Sequence, residues 1–111
     1  MKINEVLDST KSWATIKDIS LDKYDEIESG YRKRLEIIKT THGLANVLDN
    51  DQYSAIVSEV KRQLDDFIKE TTEYSNDLKN LGINNDLDLT SKITSVDNMG
   101  SNISQLSAKF S

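Results

Sequence analysis

The stretch that decides the fold is Asp51–Leu81, DQYSAIVSEVKRQLDDFIKETTEYSNDLKNL. Within it Tyr53, Val57, Val60, Leu64, Phe67, Thr71, Tyr74, Leu78 and Leu81 follow one another in steps of four and three without a slip. That alternation draws a narrow apolar seam along one face of a helix, and only Thr71 breaks its apolar character. At the helical rise per residue the run is a rod of roughly 45 Å. Such a rod cannot bury its seam on itself, so the remaining residues or another chain must cover it.

Working outward, a second run from Leu21 to His42 repeats the pattern through Leu21, Tyr24, Glu28, Tyr31, Leu35, Ile38 and His42, with Ile27 beside the polar Glu28. Ser20 is the expected N-cap, with Asp22 in the first turn where a negative charge suits the helix dipole. Gly30 sits mid-helix at a cost of up to about 1 kcal/mol against alanine, and a small residue there allows a close helix approach. Gly43 is a candidate C′ glycine with Leu44 folding back on the last turn, unless the helix continues with a kink as far as Leu48. Asp49, Asn50 and Asp51 are three good N-cap residues in a row and open the long helix.

Beyond that helix, Gly82 is a C′ candidate, and Ile83 at C″ is placed to touch Leu78, the apolar contact of a Schellman motif. Asn84, Asn85 and Asp86 make a turn. A last element from about Asp88 to Phe110 carries Leu89, Ile93, Val96, Gly100, Ile103, Ser107 and Phe110 at helical spacing, with Met99 and Leu106 alongside. Its other residues are mostly Ser, Thr and Asn, so propensity is poor and packing must hold it. Residues 1–17 carry Ile3, Val6, Leu7, Thr10, Trp13, Ala14 and Ile16 and are short enough to be marginal as an isolated helix.

The expected fold is therefore all-α. A long antiparallel helical hairpin with a coiled-coil-like seam is joined by a third C-terminal helix to make a three-helix bundle over residues 18–111, and residues 1–17 form a short N-terminal helical docking segment. The chain of 111 residues is one domain at most. With 36% hydrophobic and 30% charged residues it suits helices that bury one stripe each. It contains no proline, in keeping with long uninterrupted helices.

Charge and composition narrow the partners. A net charge of −5 disfavours non-specific contact with nucleic acid or anionic membrane. No apolar run approaches a membrane span, and the first residues have no apolar signal region. The absence of cysteine excludes disulfides and thiolate metal sites. Lysine far exceeds arginine, and Ile and Asn are frequent, a composition that fits a phage or low-GC bacterial source. A virion or cytoplasmic location is the corresponding expectation.

In an antiparallel hairpin turning near residues 43 to 50, residues whose numbers sum to about 95 lie level. Arg32, Lys33 and Arg34 then sit opposite Lys61 and Arg62, while Asp18, Asp22, Asp25 and Glu26 face Asp66, Glu70, Glu73 and Asp77. The rod is expected to have a basic waist and an acidic far end. Such polarity is either left to solvent or resolved between chains.

No chemistry can be assembled from the remaining residues. The single histidine, His42, lies at a seam position near a helix end, without cysteine or a second histidine to share a metal. The carboxylates Asp66, Glu70, Glu73 and Asp77 share a helical face but lack the histidines of di-iron bundles. Asp49-Asn50-Asp51 departs from the calcium-loop pattern, having no glycine at the sixth place. No phosphate loop, dinucleotide fingerprint or nucleophile–base pair is present. The expectation is a non-enzyme with no cofactor and no metal.

The favoured role is a structural or assembly protein, such as a virion or baseplate component, that makes coiled-coil contacts with other protein chains. Trp13 is the candidate anchor, and Arg32, Arg34 and Arg62 form the candidate charged contact. One alternative is a small acidic regulator of a single partner. Another is a secreted helical hairpin or its chaperone partner, although the turn Thr41-His42-Gly43-Leu44 lacks the Trp-x-Gly that marks one such family.

Overall fold

The computed structural model describes the backbone of residues 3–81 and 86–110 and the side chains of residues 14–81 and 86–110. The described residues form three helices: α1 (Ile3–Leu44), α2 (Asn50–Lys79) and α3 (Leu87–Ala108). They pack as an up-down-up three-helix bundle, and the molecule measures 71 × 17 × 17 Å along its principal axes.

Helix α2 begins as its sequence dictates. Asp49 is the N-cap, with an extended backbone (φ −70°, ψ 168°), and its carboxylate accepts a 2.8 Å hydrogen bond from the Gln52 amide. Val57, Val60, Leu64, Phe67, Thr71, Tyr74 and Leu78 are buried, while Tyr53 and Leu81 at the ends are half-buried. Thr71, the one polar member of the seam, donates its hydroxyl to the Ile68 carbonyl at 2.7 Å, which lets it sit in the core. Each fully buried Leu, Phe or Val on this face contributes roughly 1.5–3 kcal/mol.

Helix α1 runs antiparallel to α2. Lys23 meets Glu70, the Tyr74 hydroxyl meets the Ser20 carbonyl, and the Phe67 ring meets Tyr31 and Arg34. These pairs follow the register expected for the hairpin. Helix α3 returns parallel to α1: Lys17 reaches Asp86, Tyr24 meets Ser95, Tyr31 meets Asn102 and His42 stacks on Phe110. Asp86 caps α3 by accepting from the Leu89 amide at 3.0 Å. The buried face of α3 comprises Leu89, Val96, Met99, Gly100, Ile103 and Ser107.

Several local expectations are corrected. Ser20 is not an N-cap, because helical backbone is continuous from Ile3 to Leu44 and residues 3–17 are the first part of α1 rather than a separate helix. Gly43 lies one residue inside the helix end and not at C′. The turn beyond it is closed by Val47 and Leu48 amides, both donating to the Leu44 carbonyl at 3.0 Å. Inside α1 it is Ile27 and Thr41 that are buried, in place of their neighbours Glu28 and His42. A helix covered by two others presents a wider face than a single seam, so adjacent positions exchange roles. The expected Gly82–Ile83 motif and the Asn84–Asn85 turn lie outside the described residues.

Helices α2 and α3 form the most closely packed pair. Small residues allow it. A methyl group at Gly100 would run into the Thr71 hydroxyl, and the Thr71 Cβ is only 3.3 Å from where that methyl would stand. Gly30 of α1 serves likewise, with the Phe67 ring edge 3.3 Å from where its Cβ would be. Ser75, 1% exposed in α2, has a buried hydroxyl with no hydrogen-bond partner. A buried hydroxyl left unpaired costs roughly 1–3 kcal/mol.

Two stability changes follow, both read by urea unfolding. Ser75→Ala should stabilise the protein by about 1 kcal/mol, since it removes the unpaired hydroxyl and improves helix propensity. Gly100→Ala should destabilise by about 1–2 kcal/mol, overpacking outweighing the propensity gain. In a Thr71→Ala background the Gly100→Ala penalty should shrink by about 1 kcal/mol or more; an unchanged penalty would place the close contact elsewhere.

Candidate protein-interaction surface

The faces by which α1 meets its neighbours add polar contacts to the apolar ones of Leu21, Ile27, Leu35 and Ile38. Tyr24 Oη and Ser95 Oγ share a 2.8 Å hydrogen bond, and Asn102 Nδ2 donates to Tyr31 Oη one level further along. Lys92 Nζ lies 4.7 Å from the Tyr24 ring centre. On the α2 side, Tyr74 Oη donates to the Ser20 carbonyl at 2.6 Å, and Lys23 Nζ stands 5.9 Å from the Tyr74 ring centre. The spacing of Tyr24, Tyr31 and Tyr74 marked them as seam residues. Nothing in the spacing identified Ser95 and Asn102 as their partners, because the α1–α3 register is a tertiary property.

The arginines singled out from sequence find partners within the chain. Arg32 pairs with Glu28 at 3.1 Å. Arg62 pairs with Glu59 at 2.6 Å and Asp66 at 3.2 Å. Bonds from Arg62 first, and from Gln63, hold the Glu59 carboxyl down to about 2. Arg34 is different. Its guanidinium lies 5.2 Å from the Phe67 ring centre, and its Nε is buried without a hydrogen-bond partner. The basic waist is thus threaded by carboxylates one helical turn away, an arrangement that the levels of the hairpin alone did not show. Exposed pairs of this kind contribute little, because water screens them.

The acidic end is also crossed by cations. Lys23 reaches Glu70 at 3.8 Å, and Lys17 bridges to Asp86 at 3.0 Å and Asp88 at 3.3 Å. The bond to Asp86 raises the Lys17 pKa; burial opposes it, and the bond to Asp88 adds a smaller rise. These contacts fix the end of the bundle. The last turn of α2 and the first turn of α3 stand level with Ala14 to Lys17 of α1. Helix α1 continues past that level to Ile3. Among the described residues no other helix accompanies it there.

Exposed apolar side chains gather at the same end. Ile16 is 46% exposed, Ile19 66% and Leu87 83%. Val47, at the α1–α2 turn, is the corresponding residue at the other end. Trp13 has helical backbone at the base of the projecting stretch, and its side chain lies outside the described residues. Among the described residues no three His, Cys, Asp or Glu side chains converge on a metal-sized site. His42 instead stacks on Phe110, ring centres 4.4 Å apart. No described helix is long and apolar enough to cross a membrane.

Burial pushes the Tyr74 hydroxyl up to about 12, with the nearby Asp22 and Asp25 carboxylates adding to the effect. A phenol whose folded pKa lies above its unfolded value of about 10 binds its proton more tightly when folded. Its contribution to stability is complete below pH 10 and is lost as pH rises from about 10 through about 12. Ultraviolet titration should show a late tyrosinate that is missing from Tyr74→Phe, and the alkaline fall in stability should be shallower in that variant. A Tyr74→Phe profile identical to the parent would remove Tyr74 as its source.

The chain matches no family model, no curated protein and no solved structure.

Proposed function

We propose that the protein is a non-catalytic structural protein that joins a larger protein assembly through helical, coiled-coil contacts. The observation that carries this reading is the length mismatch between α1 and the two helices that cover it. The stripe by which α1 packs on α2 and α3 has Lys17, Tyr24, Tyr31 and Ile38 seven residues apart, flanked by Ser20, Ile27, Arg34 and Thr41. The same positions continue in sequence as Ile3, Val6, Thr10 and Trp13, beyond the end of the bundle. Apolar residues at interface spacing on a projecting helix are what a partner chain covers.

Trp13 is the anchor in this reading, and Arg32, Arg34 and Arg62 present a secondary charged contact on the flank. The composition supports a virion or baseplate part as the setting. A stretch of about twelve helical residues is marginal in water without a packing partner, which favours occupancy of this end in the assembled state.

A second reading, a small acidic regulator of one partner, draws on a different observation. The α2 seam is covered within a single chain, so the bundle has a core of its own. The two readings part on molar mass. Light scattering after size exclusion, with circular dichroism on the same sample, should give a helical species whose mass rises with concentration above 12.6 kDa. A helical monomer at every concentration would turn the assignment to the regulator.

A further inference from the structure

We infer that the occupant of the projecting end of α1 is a second copy of the chain, its own projection lying antiparallel to the first. This deepens the assembly reading and rests on it. Three observations choose the occupant and the direction.

The first is continuity. The heptad that α1 uses inside its own bundle runs without a slip into Ile3, Val6, Thr10 and Trp13. A second helix laid on that face extends an interface already built along α1.

The second is charge. The chain carries −5, and repulsion between copies opposes contact through most of its surface. The stretch before Ala14 holds Lys2, Glu5, Asp8 and Lys11, two charges of each sign, so it is neutral. Two copies meet there without adding like charge to like. Direction follows from the residues just behind it. A parallel pair would set Asp18, Asp22, Asp25 and Glu26 of both copies side by side. An antiparallel pair holds the two acidic bundle ends apart, at opposite ends of the contact.

The third is length. Residues 3–14 span about 18 Å as helix. Pairing Ile3 with Trp13 of the second copy, and Val6 with Thr10, uses that whole span. It also brings the tip of each projection to the other bundle's end, where Ile16 and Leu87 are exposed. Three turns of helix and this apolar margin make a contact at the small end of protein interfaces. The dimer is therefore one that separates on dilution.

The chain has no cysteine, so an introduced thiol is its only one. The test mixes full-length Val6→Cys and Thr10→Cys chains under mild oxidation. The antiparallel pair should give the mixed Val6→Cys/Thr10→Cys disulfide dimer well beyond its statistical share of about half of all dimers. In parallel, light scattering should show the parent approaching twice 12.6 kDa as concentration rises. Val6→Glu/Trp13→Glu should stay at 12.6 kDa with the melting transition of the bundle retained. Predominant self-linked disulfides overturn the antiparallel arrangement. Self-association undiminished in Val6→Glu/Trp13→Glu overturns this surface and leaves the assembly reading standing. A parent that stays monomeric to millimolar concentration overturns the second copy as occupant and, with it, turns the assembly reading to the regulator.

Discussion

Covering α2 from two sides is the constraint on which the rest of the bundle depends. Its seam is one residue wide at each step, and Leu64, Phe67 and Leu78 reach almost complete burial only because α1 and α3 close over it together. One helix laid on the seam would leave its flank open to water. On the α3 side the approach is at a distance that only Gly100 permits against Thr71. The poor helix propensity of α3, rich in Ser, Thr and Asn, is thereby offset by close packing. Its small residues are what let it approach.

The contacts of α1 are of a different kind. Besides the buried Ile27 and Ile38, it is held by hydroxyls, amides and cations laid on rings: Tyr24 on Ser95, Tyr31 on Asn102, Ser20 under Tyr74, and Arg34 over Phe67. Such contacts are directional. They set the axial register of α1 more sharply than smooth apolar packing would, because a slip of one turn breaks several of these half-buried hydrogen bonds at once. Register matters here for function as well as stability. It fixes how much of α1 extends beyond the bundle, and so how long a face the proposed partner meets.

Charge illustrates how far a one-dimensional reading carries. Levels along the hairpin brought Arg32 opposite Arg62 and the aspartates of α1 opposite those of α2, and the observed helix pairing keeps those levels. The nearest partners are nevertheless local. Glu28 and Glu59 lie four and three residues from Arg32 and Arg62 on the same helix, closer than any group across the groove. Between helices, lysines with long flexible stems do the bridging, as Lys17 and Lys23 show.

By itself the sequence determined the helical class, the long helix α2 and most of its buried face, from Val57 to Leu78 but without Ser75. It also placed the start of α2 among Asp49, Asn50 and Asp51, because cap chemistry is local, and the structure selects Asp49. The antiparallel order followed from the short α1–α2 connection. Only the tertiary structure decided that α1 runs unbroken through Ser20, that Ile27 and Thr41 turn inward ahead of Glu28 and His42, and that Tyr24 and Tyr31 find Ser95 and Asn102. Those outcomes depend on where three surfaces meet at once. A helix packed on two neighbours chooses among adjacent positions by the fit of all three, and that fit is not written in the spacing of any one helix.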